Sequence, residues 1–443
     1  MSASAPEGRA APPAALADSA APAGHRDGAP TGLPWSPVLR LYPALAVRPY
    51  RLLWLGMLPG TLAWQMSVVA TGYAALTVSG SAATLGLVSG AVGLPMLLLS
   101  LVGGVVADRL PRRIVLLMTQ ATLCVAAAVL TVLMAAGWLQ VWHLIALGLV
   151  QGMAFSFNMP ARQAYIAELV GQPLLRSAVA LNNAGVNFCR IAGPALGGAL
   201  LALPFVGIGG VFATMTLMYL VVIGTLLALP QSTAAAPAPP GAGTSGRDQL
   251  LEGLRYLRGS PALLALLGMA FITIFFGMPY QQLMPVFSER VFLVGAAGLG
   301  VLMAASGVGS LAGSLAVAGL AGARQPALLQ LGLGIGFGLA LVAFALAPVY
   351  PLAVALLVVV GFTSSAYTTL NSTLIMSNTE PRLYGRVMSV YLLTFAVMPL
   401  AAVPMGWLAE QVGGRATVAG SGTLVALAVL AIALGYPAYR RIR

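Results

Sequence analysis

Residues 103–113 read Gly103-Gly104-Val105-Val106-Ala107-Asp108-Arg109-Leu110-Pro111-Arg112-Arg113. On both sides lie apolar runs long enough to cross a bilayer. The two glycines permit close helix approach, and one carboxylate and three guanidiniums then fall within residues 108–113. A turn so charged cannot lie in hydrocarbon, which has no water to solvate backbone or charge. It must face water, and because arginines mark the inner side of a membrane it is expected in the cytoplasm. Every other span can be oriented from it.

The composition agrees with a membrane protein. The chain has 443 residues, 59% hydrophobic and 7% charged, with a mean hydropathy of +0.93, whereas soluble domains carry roughly 25% charged residues. A span needs about 20 apolar residues, so there is room for about a dozen. The net charge is +12 and every basic residue is arginine. In a soluble chain that balance would suggest nucleic acid. Here the charge sits in short loops between apolar runs, so topology accounts for it and no nucleic-acid partner is expected. Cys124 and Cys189 both fall inside apolar runs and read as packed thiols. No cluster of His, Cys and carboxylate has the spacing of a metal or hydrolytic site, so neither enzyme chemistry nor a cofactor is expected.

Residues 1–47 are rich in Ala, Pro and Gly with scattered charge and lack the apolar core of a signal peptide; a disordered cytoplasmic tail is expected. Twelve apolar segments follow, over 51–78, 83–107, 113–136, 141–168, 177–203, 207–229, 262–288, 295–320, 326–347, 350–378, 384–410 and 416–437. Residues 48–229 form an N-terminal set of six and 262–443 a C-terminal set of six with a short tail. The linker 230–261 between them begins as a Pro/Ala stretch and becomes amphipathic. Leu250, Leu254 and Leu257 recur at helical spacing among Arg247, Glu252, Arg255 and Arg258, as in a helix lying on the membrane surface.

Twelve spans put both termini on one side. The tails and the loops on the Asp108 side hold nineteen arginines, Arg162 counted among them, while the opposite loops hold Arg290 and Arg415. The bias predicts both termini in the cytoplasm of a multi-pass cell (plasma) membrane protein. The remaining arginine, Arg190, lies inside a span.

The two sets repeat each other. Leu85-Gly86 matches Leu299-Gly300, and at the same offset of 214 Gly93 matches Gly307 and Ser100 matches Ser314. Asp108 then falls on Gly322, so the second turn has lost its acid. At an offset of 210, Arg176 meets Arg386 and Pro194 meets Pro404. Parallel six-span repeats are a transporter architecture, with substrate near the midplane between them.

With these features the chain resembles the major facilitator superfamily. The turn Gly104-x-x-x-Asp108-Arg109-x-x-Arg112-Arg113 resembles that family's signature loop between spans 2 and 3, and the likeness covers residues 48–440. Gly60-Thr61-Leu62-Ala63-Trp64-Gln65-Met66, Ser79-Gly80-Ser81, Asn158-Met159-Pro160-Ala161-Arg162-Gln163-Ala164, Arg190-Ile191-Ala192-Gly193-Pro194 and Gly385-Arg386-Val387-Met388-Ser389 resemble its branch of siderophore and drug exporters, which includes the enterobactin exporter and macrolide efflux proteins. The resemblance implies an all-α fold of twelve transmembrane helices in two six-helix pseudo-repeat bundles. It also implies proton antiport, and a gating role for Asp108 with Arg109, Arg112 and Arg113; the alternative is a turn that only fixes topology, which the arginines would do without Asp108. Three positions depart from the pattern. Pro111 stands where the signature often has Gly and stiffens the turn. Gly148 stands where proton-coupled drug exporters often have Arg, and Cys189 opens a glycine-proline motif that usually opens with Gly.

Arg190 is the most informative single residue. It lies about 13 residues into span 5, about 20 Å along the helix axis, too deep for easy snorkelling. A charge there costs at least ~2.5–3.5 kcal/mol and usually marks a pathway. Asn183, Asn187 and Arg190 recur at i, i+4 and i+7, so one helix face is polar. Their repeat mates are Leu393, Val397 and Leu400, so that face belongs to the first half only. No Asp or Glu falls in mid-membrane. Two readings stand side by side: a site for a substrate carrying a carboxylate, catecholate or similar acceptor, and a structural arginine bonding carbonyls across the bundle.

Trp64, Gln65, Asn158, Tyr280, Gln281 and Tyr367 read as cavity liners or as inter-helix bonds. Gly193 and Pro194 read as a bend in span 5 or as close helix packing. Ser306, Ser310 and Ser314, beside Gly309 and Gly313, read as a close-contact stripe, and Gly332, Gly334, Gly336 and Gly338 as helix packing. The expected function is a monomeric secondary transporter exporting an amphipathic small molecule (a siderophore, secondary metabolite or drug), with protons as the coupling ion. The alternatives are uptake of a small organic anion and a non-transporting sensor or partner subunit.

Overall fold

The computed structural model describes residues 42–231, 255–319, 325–380, 383–436 and 439; the side chains of 100–109, 318, 319, 385, 389 and 392 are outside that description. The tail before Tyr42, most of the amphipathic linker (232–254) and the second turn around Gly322 therefore lie outside the described residues. So do the side chains of Asp108 and Arg109, and with Gly104 they are known here only as backbone.

Helices α1 (Arg48–Ser79), α2 (Ala82–Arg109) and α3 (Arg112–Ala135) are followed by a helical run, Val141–Ala202. Its 62 residues are twice what a bilayer accommodates. At Gly171 the backbone leaves the helix with φ +67° and ψ 174°, a conformation open to glycine but strained for other residues, and Pro173 follows. The run is thus two antiparallel spans, α4 (141–170) and α5 (172–202). Then come α6 (Gly207–Leu227), α7 (Pro261–Val291), α8 (Gly295–Gly319), α9 (Pro326–Ala345), α10 (Tyr350–Ser377), α11 (Tyr384–Val412) and α12 (Gly414–Gly435). The fold is all-α, twelve transmembrane helices in two six-helix halves. Their ends follow local chemistry. Pro49, Pro261, Pro326 and Pro351 sit in first turns, where a missing N–H costs nothing. Gly80, at φ +65°, ends α1.

Span α7 departs from the expected helix. Only Pro261–Ile272 is regular. Thr273–Gly277 is a π turn, Met278–Leu283 a 3₁₀ segment and Phe287–Val291 a second π turn. Pro279 and Pro285 each lack a donor and clash with the preceding turn, so the hydrogen-bond register shifts around them. Of the linker helix, residues 255–258 are described; Leu257 is buried while Arg255 and Arg258 are exposed.

Within each half, small residues bring backbones together, because lipid gives helices no hydrophobic reason to associate. A Cβ on Gly338 would come within 2.5 Å of the Gly422 carbonyl, and one on Gly422 within 2.6 Å of the Gly338 carbonyl. Gly309 and Gly313 likewise meet the backbone of α10. Buried polar tips close the remaining valences. Tyr50 donates to the Ala178 carbonyl (2.8 Å), Trp54 to that of Leu181 (3.0 Å) and Tyr439 to that of Ala327 (2.6 Å).

The halves meet along two pseudo-equivalent seams, α2 with α11 and α5 with α8. Gly86 packs on Gly406, and its repeat mate Gly300 packs on Gly198. Both crossings lie at the end of the molecule opposite the Asp108 turn, called here the far end.

Arg162 requires a correction. It is not a loop arginine: it lies within α4, nine residues before the break at Gly171, and donates to Asn158 Oδ1 at 2.9 Å. It counts with the loops in sequence although the fourth apolar segment, 141–168, includes it. Removing it from the loop count leaves the arginine asymmetry intact.

Candidate functional site

A cavity of about 350 Å³ lies between the halves. Its lining comes from α1, α2, α4 and α5 and from their repeat counterparts α7, α8, α10 and α11. One wall is aromatic: Trp64 and Phe155 lie with ring centroids 5.3 Å apart, tilted by 35°. Met96, Met278, Met303 and Met398 add adaptable apolar surface. The polar wall carries amides and hydroxyls, including Gln65, Gln151, Gln281, Gln282, Ser89 and Thr368. Some are already engaged: Ser89 donates to Gln282 Oε1 at 3.2 Å, and Gln151 donates to Ser67.

Arg190 is the one charged residue among the liners. It is solvent-accessible by surface area, yet protein surrounds it in mid-span, so that accessibility is to the cavity. Among the described residues it has no hydrogen-bond or ion-pair partner. The four described glutamates sit elsewhere. Glu168 pairs with Arg112 at 2.6 Å, Glu410 lies 3.8 Å from Arg290, and Glu289 and Glu380 are at helix ends.

A crevice of about 40 Å³ adjoins the cavity between α5, α7 and α8, and Gln65, Arg190, Gln281 and Met303 line both spaces. Its other polar walls are Tyr280, Ser306 and Ser310. The Tyr280 and Ser306 hydroxyls are hydrogen-bonded at 2.7 Å. The irregular coil of α7 holds Tyr280 and Gln281 here.

Of the residues singled out from sequence, Trp64, Gln65, Arg190 and Gln281 come together on the cavity wall. Asn187 and Asn183 lie on the same unburied stripe of α5, one and two turns from Arg190 toward the Asp108 end. Asn158 and Tyr367 do not reach the cavity lining. Asn158 is buried inside the first half, donating to Thr119 at 2.9 Å and accepting from Arg162. Tyr367 is fully buried in the second half against Gly334. Pro194 lines the crevice, but α5 runs helical through it, and Gly193 is the place where α5 closes on Gln65 of α1. The serine stripe does make close contacts, since Gly361 of α10 packs on the Ser306 carbonyl and the Ser310 N–H beside the contacts of Gly309 and Gly313, and Ser306 and Ser310 also line the crevice. Gly148, where the family pattern often has Arg, has that space filled by α2; a Cβ there would lie 3.0 Å from the Val88 carbonyl.

At the Asp108 end, Arg112 pairs with Glu168, tying α3 to α4. Arg113 donates to the Leu226 and Leu227 carbonyls at 2.8 and 2.7 Å, capping α6. At the far end, charges missed as partners from sequence join the halves. Glu410 of α11 accepts the Ala82 N–H of α2 at 2.6 Å, Arg290 donates to the Gly80 carbonyl, and Tyr73 of α1 sits beside Glu289 of α7.

Residues 40–438 match the family described as transmembrane secretion effector. Among curated proteins, the chain is similar to the enterobactin exporter EntS of Shigella flexneri, 28% identical over 295 residues, covering 65% of this chain and 67% of the relative. The protein of the same name from Escherichia coli O157:H7 (strain EC4115 / EHEC) is 29% identical over 296 residues, with the same coverage. Among solved structures, a bacterial homologue of the human lysosomal transporter Spinster, inward-facing and occupied, superposes with a TM-score of 0.69 at 16% identity, over 90% of this chain and 97% of that one. The nucleoside transporter NupG superposes with a TM-score of 0.67 at 14% identity, over 88% and 99%. At these identities the structures speak to the fold alone.

Proposed function

Because the chain belongs to the transmembrane secretion effector family of the major facilitator superfamily, and is thus a multi-pass inner-membrane exporter, we propose that it exports an amphipathic small molecule by alternating access around the Arg190 cavity. One observation carries the reading: a guanidinium with no partner among the described residues opens into a space between the two halves, beside a flat aromatic wall. A charge in mid-bilayer is costly unless water or a ligand meets it, and a site shared by two repeats is where rocking changes access. The name of the enterobactin exporters supports a siderophore or another secondary metabolite as cargo; drugs fit the same wall.

The arginine asymmetry supports a cytoplasmic Asp108 end and cytoplasmic termini. In that orientation, the glycine crossings at Gly86–Gly406 and Gly198–Gly300 shut the outer side, and the Arg190–Asn187–Asn183 stripe leads from the cavity toward the cytoplasm. The conformer is then the one that loads cargo. Residues 48–229 and 262–443 act as the rocking bodies, with 230–261 as their tether. Asp108, Arg109, Arg112 and Arg113 around Gly104 form the inner gate, and Gly193 and Pro194 set the α1–α5 contact that moves with it. Protons are the coupling ion and the working unit is a monomer. The test is flux of a catechol siderophore and of an amphipathic drug from proteoliposomes, with and without a pH gradient. Outward movement accelerated by inward proton flow is expected. Flux indifferent to the gradient removes proton coupling, and no flux of either compound contradicts the cargo class.

A further inference from the structure

The cavity and its side crevice differ in chemistry and in size, and Arg190 stands at the junction between them. The crevice, at about 40 Å³, is roughly a ninth of the cavity. About 10–15 Å³ of such space holds one water, so about three or four non-hydrogen atoms fit and an aromatic ring does not. Its polar walls are the Arg190 guanidinium, the Gln65 and Gln281 amides, each with an N–H donor beside its carbonyl, and the Tyr280, Ser306 and Ser310 hydroxyls. Among the described residues no carboxylate lines either space. The guanidinium has five N–H donors and no acceptor, and no described protein group takes any of them. The large cavity, by contrast, offers Trp64, Phe155, Phe395 and four methionine side chains.

We infer that the crevice is an anion-head subsite and that the cargo is an amphipathic monoanion. Its carboxylate-sized head sits between Arg190, Tyr280 and Ser306, and its apolar, preferably aromatic, body lies on Trp64 and Phe155. The guanidinium fork matches two carboxylate oxygens, and such charge-assisted pairs are the stronger class of hydrogen bond. One cation without a countercharge among the described residues selects one negative charge; a cation would be repelled, and a neutral isostere would leave Arg190 unmatched. The π–3₁₀ irregularity of α7 acquires a use here, since it is the segment that carries Tyr280 and Gln281 to the head. This subsite deepens the transport reading and rests on that cavity being the cargo site.

The test is equilibrium binding of 2-naphthoate against its neutral isostere 2-naphthamide, with purified protein in lipid nanodiscs. Naphthoate is expected to bind at least about tenfold more tightly. Arg190→Gln should bring the ratio near one, and Tyr280→Phe or Ser306→Ala should lower it several-fold. Melting temperature and gel-filtration profile report whether each variant is folded, and the two milder substitutions test the subsite even where Arg190→Gln is unstable. Equal affinity for the two probes, no binding of either, or a preference that survives Arg190→Gln overturns the inference. A ratio insensitive to both Tyr280→Phe and Ser306→Ala overturns the assignment of the head to the crevice. Because binding is read without flux, a chain that keeps the preference yet moves nothing defeats the transport reading and leaves the subsite standing.

Discussion

The Glu410 carboxylate accepts the backbone N–H of Ala82 at 2.6 Å, so an acid of one half caps the first turn of a helix in the other. The N-terminus of α2 carries partial positive charge and unpaired N–H groups, and an anion is stabilising there. Arg290, 3.8 Å from the same carboxylate, donates to the Gly80 carbonyl at the end of α1. The turn between α1 and α2 is thereby held at both of its chain ends by the second half.

Glu410→Ala should loosen this latch. The side chains of Arg290 and Glu410 are 41% and 35% exposed, which screens the charge, so about 1 kcal/mol is expected, a roughly fivefold shift toward the conformer open at the far end. Spin labels at the exposed positions Val78 and Val412 would report it as growth of a longer distance population. An unchanged distribution would mean that the glycine seams alone hold the halves together.

Those seams make a sharper prediction. A Cβ on Gly86 would lie 2.5 Å from the Ala402 carbonyl and 3.1 Å from Gly406 Cα, and backbone cannot swing aside as a side chain can. Gly86→Val should therefore cost the far-end-closed state about 1–3 kcal/mol and slow transport roughly tenfold or more. Gly420→Ala, in α12 with open space around the added methyl, is the control and should leave transport unchanged.

Asn158 and Arg190 should separate cleanly. Asn158 bridges Thr119 and Arg162 inside the first half. Asn158→Leu would take from Arg162 its hydrogen bond, while Thr119 keeps its bond to the Leu116 carbonyl, and should destabilise by about 1–3 kcal/mol, visible as a melting temperature lower by several degrees. The naphthoate-to-naphthamide ratio should stay as it is. A lost ratio in a stable Asn158→Leu protein would return that residue to the cargo path.

Trp64→Ala should weaken aromatic cargo more than aliphatic cargo. Loss of the Trp64–Phe155 pair and of its stacking surface is expected to lower affinity about tenfold. Competition between 2-naphthoate and octanoate measures it; equal losses for both would mean that the wall supplies bulk apolar surface only.

Much of this architecture is legible in the residues. All twelve spans follow from apolar run length, and even the 62-residue run resolves into two once Gly171 and Pro173 are read as a stop. Arg190 was identifiable because a charge inside an apolar run has few innocent explanations. What escaped depends on neighbours distant in sequence. In sequence α7 reads as a regular helix, and the π and 3₁₀ turns around Pro279 and Pro285 came only with the structure. Asn158 and Tyr367 resemble cavity liners in one dimension, and only the fold turns them inward. Glu410 read only as a span-end acid and Arg290 as a loop charge, because their partners lie 328 and 210 residues away. Arg162 counts with the loop arginines in sequence although the fourth apolar segment, 141–168, already contains it.

The central claim, that cargo leaves through the Arg190 cavity, is tested most directly by comparing the medium of cells producing this chain with that of cells producing Arg190→Gln at equal membrane abundance. Mass spectrometry of both media should find one or more amphipathic monoanions enriched outside cells with the unaltered chain, and reduced at least tenfold with the variant. An unchanged profile of exported anions from Arg190→Gln cells would contradict the account.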